Sequence, residues 1–308
     1  MATMSEPARY FPVRAAPLTM RAALRPLGED FGNGLADQRY FQLDDEHERY
    51  LAAKVRVPAS RYVSLASREA HQRAHTFALR WAQQTLFHEY GEEIQILNDE
   101  GIPFHQRWQA LHAKVQEDFA LLYRGDDELG EALCLFVAMP SGWRPEHLAG
   151  ASFAAIHGPV PGFADVEAAA RSMVRAMVER GPYVRFVWTL CADDELDHHP
   201  DTGLRKDWSA STEIFLRVER QVTVPLPACG ASLFLIRTYV TPIASLDDRQ
   251  RDTLRVALRN MPDDVAAYKG LLRDKAEILA RLGLFRTDSD EERADRGEPS
   301  SGSPRWKT

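Results

Sequence analysis

Residues 213–241 read EIFLRVERQVTVPLPACGASLFLIRTYVT. Ile214, Leu216 and Val218 alternate with Arg217 and Glu219, which is the two-residue period of a half-buried strand. Ala231–Thr241 is rich in β-branched and aromatic residues and gives the strongest strand signal in the chain. PLPACG at 225–230 supplies the turn between them, so the pair reads as an antiparallel hairpin. Working outward, YVRFVWTLC at 183–191 and EALCLFVA at 131–138 read as further strands. Helical periodicity covers 43–55, 67–98, 164–180, 246–260 and 262 to about 282, and a short helical stretch is expected at 117–122. SLDD from Ser245 resembles a capping box at the start of the fourth of these helices. Helices, then strands with one crossing helix, then helices again imply an α+β fold with a mostly antiparallel sheet. The expected organisation is a helical N-terminal region over 1–125, a core over 126–286, and a tail over 287–308. That tail is charged and rich in Ser, Gly and Pro, and it reads as disordered.

Composition narrows the function class. The chain has 308 residues, is 44% hydrophobic and 27% charged, and carries a formal net charge of −7. Those values suit an ordinary soluble globular protein, with no basic field for nucleic acid or an anionic membrane. No apolar run reaches membrane-spanning length and no signal-peptide core is evident, so the expected location is cytoplasmic. Cys134, Cys191 and Cys229 are dispersed and form no CxxC pair, which argues against a zinc site, an iron–sulfur cluster or a disulfide framework. There is no GxGxxG after a strand, no P-loop, no HExxH and no GxSxG. A redox centre in this chain must be held by very few protein ligands, a restriction that haem satisfies.

One histidine stands in an unusual setting. SFAAIHGPVPGF at 152–163 places His157 after a small apolar run and before Gly158, Pro159, Pro161 and Gly162. Proline fixes φ and glycine admits unusual backbone angles, so the ring is expected to project from a defined turn. Neutral imidazole is the commonest metal ligand, and a histidine beside an apolar run is also a common hydrogen-bonded core residue. The stretch alone leaves both open. His71 and His75, four apart on a helix, and His198 and His199, in a polar loop, read as surface residues.

Four collinear segments resemble the alpha subunit of the haem-dependent oxidative N-demethylases, or dimethylamine monooxygenases. They are CLFVAMPSGWRPEHLAGASFAAIHGPVPGF at 134–163, RFVWTL at 185–190, LRVERQVTVPLP at 216–227 and FLIRTYVTPIASL at 234–246. PLGEDFGNGLADQRYFQLDDEHERY at 26–50 is a looser match to the N-terminal arm of that family. The resemblance implies a PAS-like antiparallel sheet with flanking helices, holding haem b through its iron. It implies oxidative N-demethylation of a small secondary amine with O2 and release of formaldehyde. Electrons would come from a separate NADPH-dependent flavin and iron–sulfur reductase, with tetrahydrofolate as a formaldehyde acceptor. A haem- or ligand-sensing PAS-like protein without turnover is the alternative, since fold does not fix function.

On this resemblance His157 is the metal ligand. Arg185, Arg220 and Arg237 lie on expected strands and become partners for haem propionates, or else pair with a carboxylate within the sheet such as Glu219. Trp188 and Trp143 wall the macrocycle or serve as plain core. Tyr239 and Thr238 donate to dioxygen or substrate, or sit at the sheet edge. Glu219 holds a cationic amine or pairs within its strand. At 187 the family pattern has Asn where this chain has Val, which bears on substrate rather than on fold.

Overall fold

The computed structural model describes residues 9–15, 23–163 and 170–283. The expected tail at 287–308 and the first part of the helix expected at 164–180 lie outside them. A seven-stranded antiparallel sheet organises the molecule. Its strands are β1 (Arg25–Pro26), β2 (Val63–Ser64), β3 (Asp118–Tyr123), β4 (Glu131–Phe136), β5 (Tyr183–Cys191), β6 (Phe215–Leu226) and β7 (Ala231–Pro242). They lie in the order β1-β5-β6-β7-β3-β4-β2. The β6–β7 hairpin stands at the centre, paired from Phe215 opposite Pro242 to Leu226 opposite Ala231. Gly230, at φ +65°, closes its turn in a conformation that glycine adopts without strain.

Eight α-helices surround the sheet among the described residues. They are α1 (His47–Val55), α2 (Glu69–Tyr90), α3 (Phe104–His112), α4 (Phe153–His157), α5 (Ala170–Glu179), α6 (Asp248–Arg259), α7 (Asp263–Tyr268) and α8 (Lys275–Gly283). The α+β expectation holds. None of the helices is long and apolar enough to cross a membrane.

Register sorts the strand residues into two faces, because directly opposed residues in an antiparallel pair point the same way. On the back face, Val184 opposes Val222, which opposes Leu235. That face packs with Leu79, Leu86, Trp108 and Phe119 into the main core. Further along, Trp188, Leu190, Leu216 and Val218 pack with Leu254, Leu258 and Ile278 of α6 and α8. On the front face, Arg185 opposes Gln221 and then Ile236, and Val187 opposes Glu219 and then Thr238. α4 and α5 cover only one end of it, where Phe153, Phe163, Val174 and Met177 meet Leu122 and Phe234.

Several elements differ from the sequence expectation. Where a helical stretch is expected at 117–122, the structure has strand β3, Asp118–Tyr123. DFALLY lies inside the sheet between two neighbours, so it has the short apolar run of a buried strand and no telling period. The helix expected from 262 to 282 is two helices broken at Gly270, whose φ is +69°. The cap of α6 is Asp247, two residues after Ser245. Its carboxylate accepts from the Gln250 amide, and the Gln250 side chain accepts in return from the Asp247 amide.

Candidate functional site

Ser152 caps α4 by accepting the Ala155 amide at 3.2 Å. Phe153 is buried under the helix, and His157 is its last residue. The histidine is therefore presented from a short helix, and the Gly-Pro turn follows it. The ring lies between Phe153 and Phe163, at centroid distances of 4.1 and 5.7 Å. Its Nδ1 lies 2.8 Å from the Phe153 carbonyl oxygen. A carbonyl only accepts, so Nδ1 carries the proton and donates, and the lone pair is left at Nε2. Nε2 has no hydrogen-bond partner among the described residues. Burial, and the neighbouring Arg185 guanidinium, hold the ring's pKa below its ordinary value, while the Phe153 carbonyl opposes them. The imidazole is thus neutral at physiological pH, as metal ligation requires.

Beside it runs a half-buried strip of the front face, comprising Arg185, Val187 and Thr189 on β5, Glu219 and Gln221 on β6, and Phe234, Ile236 and Val240 on β7. A continuous polar chain crosses it. Arg185 Nε donates to Gln221 Oε1 at 2.8 Å, and Gln221 Nε2 donates to Glu219 Oε2 at 2.9 Å. Ser141 Oγ donates to Glu219 Oε1 at 3.1 Å and accepts from Arg217 Nε at 2.8 Å. Arg217 is buried and fixed by the carbonyls of Met139 and Leu196 at 2.8 and 3.0 Å. Both carboxylate oxygens of Glu219 are therefore aimed by neighbours that are themselves anchored. Thr238, directly opposite Glu219, is buried, and its Oγ1 has no hydrogen-bond partner among the described residues. An unsatisfied buried hydroxyl costs free energy unless a ligand meets it.

At the outer edge of β5, Lys269 Nζ donates to the Trp188 carbonyl, and the Lys269 carbonyl lies 3.5 Å from Thr189 Oγ1. Burial lowers the Lys269 pKa to about 8 against the pull of Glu219. Tyr268, beside it, is exposed at the rim. Neither residue carried a signal in the sequence beyond its place in a helical run.

The structure brings together His157, Arg185, Glu219 and Thr238, and it separates the other four expected site residues. Phe186 opposes Arg220, which opposes Arg237, and Trp188 opposes Val218, which opposes Tyr239. Arg220, Arg237, Trp188 and Tyr239 therefore face the back of the sheet, away from Arg185. Arg220 donates to the carbonyls of Arg39 and Tyr40 at 2.8 and 3.3 Å. Arg237 pairs with Asp44 at 3.1 Å rather than with Glu219, and its guanidinium lies 3.7 Å from the centroid of the Tyr50 ring. The Tyr239 hydroxyl donates to Gln42 Oε1, and the Trp188 ring is core. The polar groups of Arg220, Arg237 and Tyr239 thus find partners on the N-terminal arm.

His71, His75, His198 and His199 are buried rather than on the surface. His75 lies 2.9 Å from the Leu65 carbonyl through Nε2 and accepts from Trp108 Nε1 at 2.8 Å, and His71 is buried next to it. His198 bonds Asp193 at 2.8 Å. Glu146, His199 and Asp201 form a group of metal-ligand type, with ligand atoms within 4.8 Å of one another. His199 Nδ1 accepts the Asp201 amide and Nε2 reaches Glu146 at 3.0 Å, while Arg144 spans both Asp201 oxygens. Neither imidazole nitrogen is left to take an ion there. Burial raises the thiol pKa of Cys191 to about 12 and of Cys229 to about 11, and pushes that of Cys134 well up, so no thiolate competes with His157. One neutral imidazole with a free Nε2, an arginine and an oriented carboxylate border a half-apolar strip, which is a set that fits a flat, iron-bearing group with acidic substituents. Residues 34–279 match the model of the haem-dependent oxidative N-demethylase, alpha subunit-like family.

Proposed function

The chain belongs to that family, and on this premise we propose that it is the haem-binding oxygenase component of an amine N-demethylase, with haem b held on the front strip by His157 Nε2. When bound, the haem supplies reductive activation of O2. The observation that carries the reading is the His157 ring, with its proton committed to the Phe153 carbonyl and its lone pair free beside Arg185. A PAS-like reading of the sheet is supported by its five central strands. Taken in sequence order as first to fifth, β3 to β7 lie second, first, fifth, fourth, third across the sheet.

The residues of this chain have distinct tasks in that reaction. Arg185 offers a guanidinium to an acidic substituent. Glu219, fixed by Ser141 and Gln221, draws an alkylammonium ion to one place on the strip and can take its proton there. Thr238 Oγ1 supplies a hydrogen bond to a polar atom arriving opposite Glu219. Val187, between Arg185 and Thr189 on the same face, limits the space around the alkyl groups. The family is one of alpha subunits, which implies a partner subunit. We assign to it the NADPH-dependent flavin and iron–sulfur reductase, because this chain has neither a dinucleotide fingerprint nor a cysteine set. The substrate is a small secondary amine of dimethylamine type, and the methyl group leaves as formaldehyde for tetrahydrofolate to accept.

The test is spectroscopic first. Purified protein should show a Soret band, and His157→Ala should lose the haem or shift the band strongly. Unchanged haem content and spectrum in His157→Ala would refute the ligand assignment. Formaldehyde release from dimethylamine, with O2 and an added reductase, separates the enzyme from a haem sensor.

A further inference from the structure

Among the described residues the exposed Arg205 guanidinium makes no hydrogen bond or ion pair, and it lies beside two glycines. A Cβ built on Gly142 would meet its Nη1 at 3.3 Å, and a Cβ on Gly270 would meet its Nη2 at 3.1 Å. Both glycines have positive φ, +82° and +69°. The guanidinium thus occupies a seat against two backbone positions where any other residue would be strained and would crowd it. Those positions border the front strip. Gly142 follows Ser141, which holds Glu219, and Gly270 follows Lys269, whose carbonyl faces Thr189.

The seat opens on a cleft of about 560 Å³ lined in part by Arg205, Lys206, Trp208 and Leu272. Its two carboxylates, Asp207 and Asp274, both contact Arg273, at 3.4 and 3.0 Å. With Arg205, Lys206 and Arg273 set against those two carboxylates, the described lining keeps an excess of positive charge. A guanidinium placed beside such a strip, with no partner among the described residues, is matched by a planar anion that it can grip with two donors.

We propose that Arg205 is an anion anchor for the front strip and that its ligand is a carboxylate carried by the cofactor, a haem propionate. The inference rests on the haem reading above. It assigns to the rim of the strip a residue that lies on no strand and outside the four short segments quoted for the resemblance, though within the residues 34–279 that match the family. Because Arg205 makes no hydrogen bond or ion pair among the described residues, replacing it should leave the fold as stable as before and should loosen only the ligand.

The experiment measures the rate at which haem leaves the holoprotein for an excess of apoglobin scavenger, followed in the Soret region. Arg205→Gln should speed the loss by about tenfold or more, the factor set by a single charge-assisted hydrogen bond. Arg205→Lys should fall between it and the wild type, and thermal midpoints of the haem-free proteins should agree. Holoprotein reconstituted with haem dimethyl ester should already lose its haem faster than wild-type holoprotein, with no further effect of Arg205→Gln. Wild-type loss rates in Arg205→Gln would overturn the anchor while leaving the His157 assignment intact. Equal acceleration with haem and its ester would overturn it too, because the contact would then not involve the carboxylate. Wild-type protein without a Soret band would overturn both readings.

Discussion

Arg237→Leu tests the division of the sheet into two faces. The guanidinium is fully buried on the back face, paired with Asp44 at 3.1 and 3.2 Å, bonded to the Thr238 carbonyl at 3.0 Å and stacked over Tyr50. Removing one partner of a buried ion pair costs about 3–5 kcal/mol, because the other charge stays desolvated. Arg9 and Gln116 also contact Asp44, which places the effect at the lower end of that range. With an unfolding entropy of about 2.1 cal/mol/K per residue, a chain of this size should lose roughly 5–6 °C of Tm. Haem bound per folded molecule should not change, because Arg237 opposes Arg220 and not Gln221. The assay is a thermal melt of the haem-free protein followed by circular dichroism, with haem content measured at a temperature where both proteins are folded. Asp44→Asn combined with Arg237→Leu should cost less than the sum of the single changes. A normal Tm with lost haem would refute the reasoning and place Arg237 at the cofactor.

Two further outcomes are expected. Burial holds the His75 pKa down to about 4 in the folded protein, against an ordinary value of 6.5. The unfolded chain therefore binds the extra proton first as pH falls, and this group's share of stability, whole above pH 6.5, is lost between there and about pH 4. His75→Gln, whose amide can still accept from Trp108 and donate to Leu65, should flatten that part of the urea-stability profile, and an unaltered slope would exclude His75. Val187→Asn, on the front face next to Glu219 in register, should change the preference among secondary and tertiary amines in formaldehyde release while leaving haem content alone. Identical amine profiles would remove Val187 from the account of specificity.

The hairpin and β5 were legible because half-buried strands alternate visibly. β3 was not, because a strand enclosed in the sheet shows only a short apolar run, and α3 and the two-residue strands β1 and β2 gave no usable pattern. The break at Gly270 was hidden because the apolar period continues on either side of it. Within the site, the sequence pointed to His157, Arg185, Glu219 and Thr238. It could not separate them from Arg220, Arg237, Trp188 and Tyr239. Alternation shows which residues of one strand share a face, but joining faces across strands needs register, and Arg185 opposes Gln221 rather than Arg220. Arg205 left no trace in the sequence at all, since its seat is made by two glycines 63 positions upstream and 65 downstream.

The two-faced central strands have a consequence for how such a protein can change. Along β5 and β6 the odd positions 185, 187, 189, 219 and 221 belong to the strip, whereas the even positions 184, 186, 188, 218, 220 and 222 hold the arm and the core. On β7 the parity is reversed, with 236 and 238 in front and 235, 237 and 239 behind. Chemistry and foldedness are thus written on alternate letters of the same three words. Under the proposed function, drift at one set of letters would retune the amine while the other set stays fixed, and the departure at Val187 falls in the first set.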